Sequence, residues 1–281
     1  MKSRKRIAFI DYELANWHAD TYLRIFRHEL KDRGFEVTAG LATREKTGRE
    51  WAKKNGLKYY TDPGEIDRQV DCYVVMAPSN PETHLGLCQM VFPFGKPTFV
   101  DKTFAPNAAT AKKIFALADR YGTRIQTSSA LRYTDIQAHV AKTGRANVRH
   151  VTVWGGGGSF DEYAVHPVEI AVSCLGPGAL RVMRRRDGGL SQLLVDFSGG
   201  RTAVVNVYCR TNTEFAASVT TAKETRYLTV DGGELFVDAA AGMLDFFRAG
   251  KPHVDRAETM AIMRIIDAAR NPRALKGFVG I

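Results

Sequence analysis

The sequence predicts an α/β protein in two parts: a doubly wound parallel sheet over residues 1–124, then an α+β half with a mostly antiparallel sheet over residues 125–281. Two patterns carry this. In the first part short apolar runs alternate with amphipathic helical stretches, as in a parallel sheet whose crossovers are helices. In the second, strand-like runs follow one another directly, separated by hairpin signals. A chain of 281 residues is also longer than one ordinary core requires.

The elements follow in order. Ile7 to Ile10 is an apolar run suited to a buried strand. A helix follows with Tyr22, Leu23, Phe26 and Leu30 on one face, closed by Gly34. Val37 to Leu41 is the next strand, and a polar helix from Glu45 to Asn55 ends at Gly56. Cys72 to Ala77 is a strand leading into the turn Pro78-Ser79-Asn80-Pro81, and a helix runs on to Phe92. Thr98 to Val100 is a short buried strand, after which Asn107 caps a helix reaching Gly122. Strand and helix pairs cover Ile125 to Thr143 and Val148 to Gly176. Strands are then predicted at Leu180 to Arg185, Leu193 to Phe197, Ala203 to Cys209, Ala216 to Thr221 and Tyr227 to Val230, with Asp187-Gly188-Gly189 and Ser198-Gly199-Gly200 as hairpin turns. Helices near Ala239 to Phe247 and Ala257 to Ala269 close the chain.

Hydrophobic residues at 44% and charged residues at 25% describe a soluble globular protein, and no apolar run is long enough to cross a bilayer. The basic start lacks a signal-peptide core, so a cytoplasmic location is expected. Cys72, Cys88, Cys174 and Cys209 are widely spaced, which predicts reduced thiols without a disulfide or zinc framework. A formal charge of +10 favours anionic company. Basic clusters occur only at Lys2 to Arg6 and at Arg184-Arg185-Arg186, without interleaved aromatics, so no nucleic-acid partner is expected. His18 and His84 have no carboxylate or cysteine spacing around them that would make a metal site, and none is assigned. A second half with too few helices to cover both sheet faces is expected to form a homo-oligomer through that sheet.

The chemistry is expected where Thr98 to Val100 delivers Asp101 and Lys102, because ligands of open α/β sheets bind outside the carboxyl ends of the strands. Around this point four stretches, in order, resemble the Gfo/Idh/MocA oxidoreductases, the family of glucose-fructose oxidoreductase and inositol dehydrogenase. Pro78 to His84 is similar to the family's strand-end Pro-x-x-x-x-His turn, with one extra residue. Gly95-Lys96-Pro97-Thr98-Phe99-Val100-Asp101-Lys102-Thr103 resembles its Gly-Lys-x-Val-x-Glu-Lys-Pro stretch, with Asp101 for Glu and Thr103 for Pro. Glu162 to Glu169 resembles its Asp-x-Gly-x-His-x-x-Asp segment, and the tail from Gly250-Lys251-Pro252 to Lys276-Gly277 has its cadence.

The resemblance implies a Rossmann-like dinucleotide-binding domain, 1–124, and a substrate-binding and oligomerisation domain, 125–281. It implies an NAD(P)-dependent oxidoreductase acting on a sugar, cyclitol or related polyol, with Lys102 and His166 as the acid/base pair. Glu162 lies four residues before His166 and orients it if one helix holds both; if the helix starts at Pro167, Tyr163 or Glu169 takes that place. The expected cofactor contacts are Asn16, Trp17, Thr43, Arg44, Pro78, Asn80, His84 and Asp101. Thr43 and Arg44, with no acidic residue at that strand end, lean toward a 2′-phosphate and so NADP over NAD, although Arg44 also suits a solvated helix start. Arg132, Trp154 and Tyr163 are expected to line the substrate pocket, with Gly155 to Gly158 as a flexible rim.

One stretch departs from the family. Where its members carry Gly-x-Gly-x-x-Gly, this chain has Asp11-Tyr12-Glu13-Leu14-Ala15-Asn16. A carboxylate about 4 Å from a phosphate charge is opposed by roughly 4 kcal/mol at an effective dielectric of 20. The alternative is therefore a relative without dinucleotide binding, acting as a cofactor-free lyase or isomerase or as a non-catalytic binding subunit.

Overall fold

A computed structural model describes residues 4–281; the first three residues of the basic start lie outside the described residues. From the N-terminus, β1 (Lys5–Asp11), α1 (Trp17–Arg27), β2 (Phe35–Ala42), α2 (Glu45–Lys54), β3 (Lys58–Tyr59), α3 (Pro63–Asp67), β4 (Cys72–Val75), α4 (His84–Val91), β5 (Thr98–Val100), α5 (Ala108–Arg120) and β6 (Ile125–Thr127) alternate. The six strands form one parallel sheet in the order β3-β2-β1-β4-β5-β6. Strand order reverses between β1 and β4, which makes their carboxyl ends the topological switch point. The strands are buried on both faces, as the near-continuous apolar runs require. Phe9 anchors one face, packed against Phe26 and stacked on Trp51. Each such side chain contributes about 1.5–3 kcal/mol on burial.

The chain continues with α6 (Asp135–Thr143), β7 (His150–Gly157), α7 (Phe160–Tyr163), α8 (Val165–Leu175), β8 (Ala179–Asp187), β9 (Leu190–Phe197), β10 (Arg201–Cys209), β11 (Ala216–Thr220), β12 (Thr225–Thr229), α9 (Leu235–Ala249), α10 (Arg256–Arg270) and β13 (Val279–Gly280). Seven strands form a second sheet, β12-β11-β7-β10-β9-β8-β13. It is antiparallel except where β10 runs parallel to β7. On one face Val151, Val153, Leu193, Val195, Val205 and Val207 pack with α8 and α10 into a single core. The alternate positions, Thr152, Trp154, Gln192, Leu194 and Val204 among them, are partly exposed.

The chain divides into two compact units, residues 1–128 with 236–254 and residues 129–235 with 255–281. This differs twice from the break expected at 124/125. β6 pairs with β5 and so completes the first sheet. In α9, Ala240, Met243, Leu244, Phe246 and Phe247 join the core of the first unit. A helix apolar on so much of its surface does not reveal from sequence which sheet it will cover. No described helix is long and apolar enough to cross a membrane.

Candidate active site

At the carboxyl end of β1 the acidic turn is folded upon itself. Asp11 Oδ1 accepts from the Glu13 amide at 3.1 Å, and Glu13 Oε1 accepts from the Ala15 amide at 3.2 Å. Asn16 is the N-cap of α1, its Oδ1 accepting from the Ala19 amide at 3.0 Å. Its Nδ2 donates to Asp11 Oδ2 at 2.9 Å and to the Glu13 carbonyl at 2.6 Å. Leu14 is fully buried, its Cδ1 lying 2.9 Å from where a Cβ on Gly40 would stand, so only glycine at 40 leaves it room. Burial pushes the Asp11 carboxyl up to about 6, against the hydrogen bonds from Glu13 and Asn16.

The outer carboxylate oxygen of Glu13 is engaged as well. Thr47 Oγ1 donates to Glu13 Oε2 at 2.8 Å, and Arg44 Nη1 lies 3.8 Å from the same oxygen while its guanidinium sits over the Tyr12 ring. Thr43 is exposed at the end of β2. Trp17 is 59% exposed and packs edge-on against Phe236.

β5 delivers the second set of residues. The Asp101 amide donates to the Val75 carbonyl at 2.8 Å, which fixes the strand end. Its carboxylate is buried, with Oδ2 at 2.5 Å from His18 Nδ1. Burial would raise the Asp101 carboxyl, but His18 and Lys102 outweigh it and hold it below its usual range. Lys102 Nζ donates to the Pro78 carbonyl at 3.2 Å. Asn80 turns to Glu82, at 3.1 Å.

His84, expected as a cofactor contact, has no exposed surface. Its Nδ1 lies 3.1 Å from the Phe104 carbonyl, and its Nε2 faces the Met76 carbonyl. Both ring nitrogens thus face backbone carbonyls, and because burial lowers its pKa the neutral ring donates its single N–H to one of them, bridging the end of β4 and the segment after Lys102. α4 begins at this residue, which turns the ring inward.

In the second unit His166 sits in the first turn of α8, which starts at Val165 and not at Pro167. Its Nδ1 is 2.8 Å from Ser129 Oγ, and its ring lies near those of Tyr163 and Phe215. Behind this pair stands the carboxylate of Glu169. Glu169 is buried, accepting from the Ser129 amide at 2.8 Å and from Arg132 Nε at 2.9 Å. Glu162 belongs to the separate short helix α7, whose N-cap Ser159 accepts from the Glu162 amide at 3.3 Å. Burial raises the Glu169 carboxyl, against the pull of the Arg132 guanidinium.

Arg132, Trp154 and the glycine run depart from their expected roles. Arg132 Nη1 pairs with Glu258, whose other oxygen takes Arg145 Nη1 at 2.6 Å, so Arg132 is committed to two buried carboxylates. Trp154 alternates with the buried Val153 on β7 and therefore points to the sheet face opposite α8, where it stacks on Tyr227. Gly155 to Gly157 are strand residues paired with β10, not a mobile rim. A Cβ at Gly155 would meet Phe215 at 2.1 Å, and one at Gly157 would meet Tyr163 at 2.2 Å. Glycine lets these rings, both neighbours of His166, lie directly on the backbone. Among the described residues no group of three or more His, Cys, Asp or Glu side chains is arranged to hold a metal.

Residues 14–129 match the model of an oxidoreductase family with an NAD-binding Rossmann fold, GFO_IDH_MocA. Over that stretch the chain is similar to the Gfo/Idh/MocA family. Solved structures extend the likeness in fold to the whole chain. GenD2 from gentamicin A biosynthesis, solved in complex with NAD, is 16% identical with a TM-score of 0.80, covering 100% of this chain and 97% of its own. A probable dehydrogenase from Thermotoga maritima is 16% identical with a TM-score of 0.81, covering 98% of each chain. Myo-inositol 2-dehydrogenase from Lactobacillus plantarum is 14% identical with a TM-score of 0.80, covering 99% of this chain and 100% of its own. No curated protein matches the chain in sequence.

The matched family model describes an NAD-binding Rossmann fold, but the β1–α1 turn of this chain does not fit the usual seat of a pyrophosphate. That seat needs free amides at a helix N-terminus and an approach without side chains. Here the amides of Glu13, Ala15 and Ala19 are already bonded to Asp11, Glu13 and Asn16, and two carboxylates stand where negative charge would arrive.

Proposed function

We propose that this chain is an enzyme of the Gfo/Idh/MocA type acting on a sugar, cyclitol or related polyol, in which Lys102 and His166 handle the proton of a substrate hydroxyl. The observation that carries this is the pairing of His166 with Ser129, in a chain that also presents Lys102 at a strand's carboxyl end. Acid–base catalysis of this kind contributes typically about 10²- to 10⁴-fold.

Similarity to an NAD-binding oxidoreductase family over residues 14–129 supports NAD(P)-linked oxidation and reduction as the reaction. The self-bonded turn favours a second reading, a cofactor-free lyase or isomerase using the same two residues. An NADP preference rests on Arg44, and Glu13 beside it would offset part of the attraction for a 2′-phosphate. Calorimetric titration of NAD(H) and NADP(H) into the wild type and Arg44→Ala separates these. Binding of either dinucleotide supports the redox reading, with NADP preference lost in the variant if Arg44 reads the phosphate. No binding up to millimolar concentration, by folded protein, leaves the cofactor-free reading. Lys102→Ala and His166→Ala should each reduce turnover strongly with circular dichroism unchanged, and full turnover in either would remove that residue from the mechanism.

The uncovered face of the second sheet suits a homo-oligomer. Light scattering at micromolar concentration tests this, and a monomer mass throughout would end the idea.

A further inference from the structure

The second unit also holds a cleft of about 940 Å³ at the end of its sheet, where β7 passes into α7, β8 turns into β9 and β10 runs out. Four arginines line it, Arg184, Arg186, Arg210 and Arg270, against the single carboxylate of Asp161. Arg270 is paired with that carboxylate at 2.8 Å. Arg184 is held by neutral groups only. Its guanidinium lies 3.7 Å over the Phe160 ring, and its Nε and Nη2 donate to Ser191 Oγ at 3.3 and 2.9 Å. Burial, together with the like charge of Arg186, holds the Arg184 pKa below its usual value, the Asp161 carboxylate offsetting only part of this. No described ion pair includes Arg184, Arg186 or Arg210. Arg210 is held at φ 61 by its amide's hydrogen bond to the Gly157 carbonyl, a left-handed state that costs a non-glycine residue about 1–2 kcal/mol.

An ordinary solvated hairpin would spread its arginines around its surface. These converge on one concave wall, and the most buried of them is fixed in orientation by a ring and a serine. We infer that the cleft is an anion site for a small phosphorylated ligand, a sugar phosphate or related phosphomonoester. Guanidinium forks match phosphate oxygens in geometry as well as charge. Ser191 and Thr211 add hydroxyls to the wall, and the volume suits a ligand of that size. The one aromatic face present, that of Phe160, is taken by Arg184, which leaves no platform for stacking nucleic-acid bases. The inference is independent of the reaction proposed above.

The test is calorimetric titration of the full chain, at constant ionic strength, with glucose 6-phosphate, inorganic phosphate and glucose. It is repeated on the double variant Arg186→Ala with Arg210→Ala, whose exposed positions leave the packed Arg184 in place. Glucose 6-phosphate should bind, glucose should not, and the double variant should bind at least tenfold more weakly with unchanged circular dichroism. Inorganic phosphate binding as tightly as the sugar phosphate would still support the anion site, with the phosphoryl group alone being read. Affinity unaltered by the two substitutions, no binding of either phosphate up to millimolar concentration, or displacement by a short single-stranded oligonucleotide that binds more tightly would overturn the inference.

Discussion

Ser129 is bonded at once to His166 and to Glu169: its Oγ lies 2.8 Å from His166 Nδ1, and its amide donates to Glu169 Oε2 at 2.8 Å. The hydroxyl also accepts from the Leu131 amide at 3.2 Å, so Ser129 cannot turn away without uncapping the short turn that follows. The imidazole is thereby oriented through its Nδ1. Ser129→Ala should therefore change the tautomer balance of His166 seen by nitrogen NMR, and lower turnover about tenfold or more, with the fold retained. An unaltered His166 tautomer balance in the variant would show that the serine does not position the ring.

Behind that pair, Arg132, itself nearly buried, bridges the buried carboxylates of Glu169 and Glu258. Removing one partner of a buried charge network leaves the others desolvated and uncompensated, which typically costs about 3–5 kcal/mol. Arg132→Met should lose about that much stability in denaturant titrations at pH 7. Adding Glu169→Gln should recover part of it, because one of the two stranded charges is then gone. A loss below about 1 kcal/mol would mean that Arg145 and solvent suffice for the carboxylates.

Asp11 makes stability depend on pH with a definite sign. Its folded pKa of about 6 lies above the ordinary 3.8, so the folded chain keeps a proton that the unfolded chain has released. Stability from this group is therefore full below about pH 4, falls as pH rises to about 6, and stays reduced above it; two pKa units correspond to about 3 kcal/mol. Asp11→Asn keeps an acceptor for the Glu13 amide and removes the charge. The variant should be more stable than wild type at pH 7.5, with the advantage vanishing near pH 4. An advantage that persists undiminished at pH 4 would assign the effect to packing.

Much of this was legible in the chain. Ile7 to Ile10 and Thr98 to Val100 announced buried parallel strands, and the strand end at Val100 placed Asp101 and Lys102 where open sheets keep their ligands. The alternation along β7 also contained the correct face for Trp154, since Val153 is apolar and adjacent residues of a strand point oppositely. What the sequence withheld were pairings set by tertiary contact. Asp101 meets His18 across the tops of different elements, and Arg132 meets Glu258, 126 residues away. No periodicity encodes such partners. The glycines at 155 to 157 misled for another reason: their lack of side chains serves neighbouring rings and not mobility.

Glu13 offers the sharpest test of the turn. Its carboxylate takes the Ala15 amide on one side and Thr47 on the other, with Arg44 near the same outer oxygen. If this carboxylate is what closes a dinucleotide seat, Glu13→Gly should free an amide, remove a like charge and release Arg44 in a single step. An interaction worth about 1.4 kcal/mol changes affinity tenfold, and a carboxylate close to a phosphate in a partly buried turn opposes it by at least that much. Calorimetry should therefore show NAD(H) or NADP(H) binding the variant at least about tenfold more tightly than the wild type. Glu13→Gln serves as a control, since it removes the charge but keeps an acceptor for Ala15, and it should recover only part of the gain. Equal affinity in wild type and both variants would mean that Asp11, Leu14 and Asn16 close the turn without Glu13. In that case a seat for pyrophosphate would need the whole stretch from Asp11 to Asn16 rebuilt.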